Sequence, residues 1–340
     1  MTSTAKTVVV GVDGSPDGDR AVEYAARIAE RDHLDLRLVH VSYDYRVNSP
    51  MSPYLPRAMA REIGESVLQA AVKHADEAGA SGDRIATVLA QGPRAASLLQ
   101  HVAGASYVVL GSRTERVKHL LTGAMSLSVI AHSPVPVRCV PPSWKPSRTF
   151  SGRIVVGVDG SRADREVLQK AFAESDAAGA RLEIVHAWPA VAPYDTALTG
   201  RVLDEDWDRT AREHLITHIK PVSAAYPAVD WELSLNYERV PFAVHEAARD
   251  ADLLVLGRHG HHAPLGLLVG SNTRTLLRAA PCPVEVVPIA AKSADRGLVH
   301  LGSVVRTLIR KSLSPVPIVP RPDPTRVREL EPHELSTRRS

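Results

Sequence analysis

The chain repeats itself at a nearly constant offset, and this limits its architecture more than any other feature. Val8-Val9-Val10-Gly11-Val12-Asp13-Gly14-Ser15 returns as Ile154-Val155-Val156-Gly157-Val158-Asp159-Gly160-Ser161, an offset of 146 residues. Leu36–Val41 returns as Leu182–Ala187, and Tyr107–Gly111 as Leu253–Gly257, at the same offset. Pro134–Val137 returns as Pro281–Val284 at an offset of 147, so the first copy lacks one residue between Gly111 and Gly123. One fold has been used twice.

Each copy alternates apolar runs with helical patterns. Strands are expected near 7–13, 35–41, 84–90, 107–110 and 136–140, then near 153–159, 181–187, 230–236, 253–257 and 284–288. Helices are expected near 17–31, 57–79, 94–103 and 124–132, then near 163–178, 203–225, 241–249 and 271–279. Continuous apolar strands separated by helices indicate parallel sheets covered on both faces. The expected class is α/β, with two doubly wound five-stranded parallel sheets. Right-handed crossovers leave few topologies, and ligands of such sheets bind beyond the carboxyl ends of the strands.

A spaced set of small residues falls at that end of the second copy. Gly257-Arg258-His259-Gly260 follows the apolar run Leu253–Leu256, and Gly270-Ser271 comes nine residues later at a helix start. A glycine lets a phosphate approach the main chain. A helix start offers free N–H groups and the positive end of a dipole, and Ser271 adds a hydroxyl donor. The pattern points to a bound nucleotide. The first copy departs from it: Thr114 stands at the second glycine position, and Gly123 is followed by Ala124.

The G-x-x-G, nine residues, G-[ST] pattern, with its upstream V-x-V-D-G-S strand, resembles the universal stress protein family. The resemblance covers roughly residues 5–142 and 152–289. It implies strand order 3-2-1-4-5 and an adenine-nucleotide-hydrolase-like fold. It further implies ATP or another adenine nucleotide with Mg2+. Val158, Asp159 and Ala187 would lie near adenine and ribose, Gly257, His259, Gly260, Gly270, Ser271, Asn272 and Thr273 around the phosphates, and Gly160 would also belong to the nucleotide site. A weaker second site would use Asp13, Val41, Gly111, Arg113 and Gly123. The two repeats are expected to pack as an internal pseudo-dimer through their last strands. The role implied is regulatory, through a protein partner that the sequence does not identify; a homodimer stays open.

Composition narrows the remaining classes. Hydrophobic residues make up 44% and charged residues 23%, as in a globular protein. No apolar run approaches the roughly 20 residues of a membrane span, and the N-terminus carries no signal-peptide pattern, so no membrane partner is expected. Two cysteines, Cys139 and Cys282, exclude a disulfide framework and favour a reducing cytoplasm. Residues 291–340 hold ten Lys+Arg against five Asp+Glu, while the whole chain is only +3, so no nucleic-acid partner is expected from the repeats.

The expected division is a first domain at 1–142 ending in Pro141-Pro142, a linker at 143–151 starting with Ser143-Trp144, a second domain at 152–289 and a tail at 290–340. Within the tail, 301–320 resembles the last helix and strand of a third copy, and the end reads as disordered. His259, His261 and His262 lack neighbouring acidic or Cys ligands, so no metal site is assigned. No nucleophile–base set stands out, so no catalytic residue is assigned. Two other readings stay open: a slow ATPase or self-phosphorylating protein with Ser271 or Thr273 as acceptor, and a scaffold that binds no nucleotide.

Overall fold

The computed structural model describes residues 7–42, 57–112, 124–145, 150–187, 202–258 and 268–289. In the first repeat the chain runs β1 (Thr7–Val12), α1 (Pro16–Asp32), β2 (Asp35–Ser42), α2 (Arg57–Glu77), β3 (Ile85–Gln91), α3 (Arg94–Leu99), β4 (Ala105–Gly111), α4 (Ala124–His132) and β5 (Val137–Val140). The second repeat gives β6 (Arg153–Val158), α5 (Asp164–Ala178), β7 (Arg181–Ala187), α6 (Val202–Ser223), β8 (Trp231–Asn236), α7 (Val240–Ala247), β9 (Leu253–Gly257), α8 (Ser271–Ala279) and β10 (Val284–Val287). These elements follow the expected pattern closely. The exception is α3, expected to reach 103 but ending at Leu99, where tight turns lead through the left-handed Gly104 (φ +75°) into β4. The tail at 290–340 lies outside the described residues.

Local chemistry accounts for the helix ends. Ser15 caps α1 by accepting from the Gly18 N–H at 3.2 Å, and Pro16 opens the first turn with Asp17 and Asp19 behind it. The helix stops at His33, which adopts the left-handed region (φ 54°) and returns its N–H to the last turn. Gly179 ends α5 in the same way.

Each repeat has the order 3-2-1-4-5, all parallel. The two five-stranded arrays join edge to edge. β5 and β10 pair antiparallel, Arg138 facing Glu285, to make one sheet ordered β3-β2-β1-β4-β5-β10-β9-β6-β7-β8. Alternate strand residues point to opposite faces. On one face a single apolar core runs across the join, from Val9, Leu98 and Val129 to Val155, Val244 and Leu276. On the other, the first repeat packs Val8, Tyr24 and Leu38 under α1 and α2, and the second packs Val156, Phe172 and Ile184 under α5 and α6, as separate cores.

Buried charge fills the gap between those two cores. Arg138 is fully enclosed and donates from Nε to Glu285 Oε2 at 2.8 Å and from Nη1 to the Tyr24 hydroxyl at 3.2 Å. Its Nη2 also meets Glu285 and lies 2.9 Å from Glu174 Oε2 on α5. Lys170 pairs with Glu174 and stands 3.5 Å from Glu285 Oε1. The Tyr107 ring lies 4.2 Å below the guanidinium. Trp144, expected in a linker without regular structure, is buried edge-on against Tyr24 at 5.3 Å and pins the chain as it leaves the first repeat.

Candidate functional site

In both repeats the strand order reverses between the first and fourth strands, which opens a crevice beyond their carboxyl ends. In the second repeat, Val158 ends β6, Ala187 ends β7 and Gly257 ends β9. Asp159 and Gly160 form the turn after β6, with Gly160 in the left-handed region at φ +79°, where a side chain would be strained. Gly270 caps α8, and its N–H donates to Arg258 O at 2.9 Å. Thr273 Oγ1 donates to Gly257 O at 2.9 Å, tying the first turn of α8 to the end of β9. Ser271 and Asn272 face outward, whereas Thr273 is buried. Nine of the residues singled out in the second repeat lie at the carboxyl ends of β6, β7 and β9, in the turn after β6 or at the start of α8; His259 and Gly260 lie outside the described residues.

The first repeat holds a cavity of about 400 Å³ at the matching place. Asp13, Val41 and Gly111 line it, together with His40, Arg94, Met125 and Ser126. Arg113 and Gly123, the other residues of the weaker site, lie outside the described residues. Gly111 has a structural duty as well. A Cβ there would stand 2.2 Å from Asp17 O, so the close approach of α1 to β4 requires glycine.

Asp164 and His214, beside the second crevice, were not foreseen. Asp164 occupies the place that Gly18 holds in the first repeat. Its buried carboxyl accepts from the Asp159 N–H at 3.1 Å and the Gly160 N–H at 2.6 Å. Burial and the neighbouring Asp159 carboxylate push its pKa well above the usual range, despite those two amides. His214 Nε2 donates to Gly160 O at 3.1 Å, and its ring meets that of His218 at 4.9 Å. His40 and His186 behave alike. Each donates from Nδ1 to the carbonyl that ends the first strand, Val12 O at 2.9 Å and Val158 O at 3.0 Å. These two histidines stitch strands together beside the crevices. Burial lowers the His186 pKa, with His214 acting in the same direction. The repeat alignment carried a signal for Asp164, because a glycine and an acid stand at matched positions.

Among the described residues, no group of three or more His, Cys, Asp or Glu gathers to hold a metal. No helix there is long and apolar enough to cross a membrane. Cys139 and Cys282 are both buried, and burial pushes the Cys139 thiol up to about 12.

A family model described as the universal stress protein family matches residues 4–141 and again 151–288. The chain belongs to the universal stress protein family. A universal stress protein of Mycobacterium tuberculosis is 30% identical over 309 residues, covering 83% of this chain and 95% of that one. Another family member, from Mycolicibacterium smegmatis, is 28% identical over 294 residues, covering 84% and 98%. Among solved structures, a universal stress protein from Archaeoglobus fulgidus superposes with a TM-score of 0.62 at 17% identity, covering 84% of this chain and 99% of its own. That likeness shows a shared fold, and the two family matches coincide with the two five-stranded halves.

Proposed function

We propose that this chain is an adenine-nucleotide-binding regulator of the stress response, with ATP held chiefly by the second repeat. The observation that supports the reading is that Asp159 follows β6, Gly257 ends β9 and Thr273 ties the start of α8 to Gly257 O. Ser271 and Asn272 would hold phosphate oxygens at the helix start, where the dipole favours anions, and Gly270, without a side chain, would let them approach. Val158, Asp159 and Ala187 would flank the base and sugar. Mg2+ would arrive on the phosphates, which suits a cation that keeps most of its waters and needs few protein ligands. The nucleotide would bridge the loops after β6 and β9, favouring conformations that hold them together.

The first repeat takes a second, smaller part in this reading. Its cavity of about 400 Å³ suits a small-molecule site. The full organisation proposed is a domain at 1–142, a linker at 143–151, a domain at 152–289 and a tail at 290–340, acting in the cytoplasm on a protein partner. Thr273 is buried and already donates to Gly257 O, which leaves Ser271 as the exposed hydroxyl of the α8 start.

Calorimetric titration of the full chain with Mg-ATP, beside Gly270→Asp, tests the reading. Gly270 has φ −60° and ψ 151°, a conformation aspartate adopts readily as a helix cap, so the variant keeps the helix and opposes a phosphate. Binding by the parent and a loss of about tenfold or more in the variant is the expected result. Equal affinity in the two chains, or none in the parent, would refute the site.

A further inference from the structure

Ser112 and Arg258 hold the same place in the two repeats, one step beyond the glycine that ends β4 or β9. Each reaches the carboxyl end of the other repeat's last helix. Ser112 Oγ makes one long contact with Leu277 O on α8, at 3.5 Å. Arg258 makes three: Nη1 donates to Ile130 O at 3.3 Å, Ala131 O at 3.0 Å and Ser133 O at 3.2 Å. The last carbonyls of α4 lack helical partners and carry the negative end of its dipole, so a guanidinium matches them in hydrogen bonding and charge.

The main chain of Arg258 is committed to the second repeat. Its N–H donates to Val287 O at 3.0 Å, and its carbonyl accepts from Gly270, the cap of α8, at 2.9 Å. The other end of α4 belongs to the first crevice, where Met125 and Ser126 in its first turn line the cavity. One nine-residue helix and one arginine therefore run from the first crevice to the helix start of the second.

We propose that Arg258 is a positioning residue that couples the two crevices, so that a ligand held against Met125 and Ser126 raises the affinity of the second repeat. The identity of the ligands rests on the nucleotide reading above; the coupling rests on the contacts of Arg258. Its sign follows from the shared arrangement. A ligand in the first cavity holds α4 in place, which holds its three carbonyls against Arg258. A held Arg258 keeps its carbonyl on the Gly270 N–H and fixes the start of α8. Binding at the second crevice favours that same arrangement, so the effect is reciprocal. Ser112 adds a second, longer link across the join, from the end of β4 to Leu277 O on α8.

Hydrogen exchange on the full chain tests the coupling in two stages. Met125→Trp fills the first cavity with no added ligand. Exchange at the amides of 270–274 is expected to slow by about twofold or more when Arg258 is present, and to stay unchanged when Arg258→Ala is added. Val41→Trp, which fills the cavity from β2, replaces Met125→Trp if that variant does not fold. Equal slowing with and without Arg258, or none in either, overturns the proposal. Mg-ATP is then titrated into the parent chain and Met125→Trp, each with and without Arg258→Ala. Protection of the second crevice is expected at an Mg-ATP midpoint about threefold or more lower in Met125→Trp than in the parent, and at one unchanged midpoint when Arg258→Ala is added to each. The same shift with and without Arg258, or none in either, overturns it. If Mg-ATP protects neither crevice, the nucleotide reading alone falls, because the cavity-filling comparison decides the coupling without it.

Discussion

Arg138 and Glu285 occupy matched positions in the two repeats and carry opposite charge. They meet at the antiparallel join, where two identical copies would set arginine on arginine or glutamate on glutamate. The buried pair therefore favours first repeat against second and disfavours like against like. Removing Arg138 leaves the buried Glu285 and Glu174 to share Lys170. Arg138→Met is expected to cost about 3–5 kcal/mol in urea unfolding, and adding Glu285→Leu to recover part of it. A double variant no more stable than the single one would contradict this account. Glu174 supplies a pH test. Burial opposes its ionisation, but Arg138 and Lys170 outweigh burial and hold its pKa at about 2, down from 4.5. A lowered folded pKa gives stability that is complete above 4.5 and is lost as pH falls towards 2. Glu174→Gln should flatten that acid limb when unfolding is followed by circular dichroism. An unchanged limb would show that another group sets it.

At the scale of elements, the carboxyl end of β4 illustrates a glycine with two duties. Gly111 reads in the sequence as a place where phosphate approaches, yet the structure sets the first turn of α1 against it. Gly111→Ala should destabilise by about 1–3 kcal/mol or more, because the obstacle is backbone and cannot swing aside. Gly82→Ala, with nothing near its Cβ, should stay within about 0.5 kcal/mol. Comparable urea midpoints for the two variants would contradict the reading. The strands were legible because runs such as Val8-Val9-Val10 are buried on both faces and need no alternation. Gly270-Ser271 was legible as a helix start because its spacing from Gly257 repeats a known pattern. Arg258 was not. It stands inside the glycine motif, but its partners lie more than 120 residues away, on the last turn of α4 and at Ser133 just after it, and no local signal records that distance. The burial of Trp144 was hidden in the same way, since prolines near it speak for a linker while Tyr24 receives its ring.

For the whole molecule, the antiparallel join turns two repeats into one ten-stranded sheet with a shared core on one face. Both crevices open at carboxyl ends of parallel strands, and Arg258 spans the join between them. A tandem chain fixes such a pair permanently, so the two sites can differ in detail while remaining mechanically connected. Gly18 against Asp164, and Ala124 against Ser271, are differences of that kind. The central claim is that these crevices take an adenine nucleotide. A crystal structure of the full chain grown with Mg-ATP tests it most directly. The account predicts a nucleotide beyond β6 and β9, its base and ribose beside Val158, Asp159 and Ala187 and its phosphates at Gly270, Ser271 and Asn272. Empty crevices at saturating Mg-ATP, or a nucleotide bound elsewhere on the chain, would contradict it.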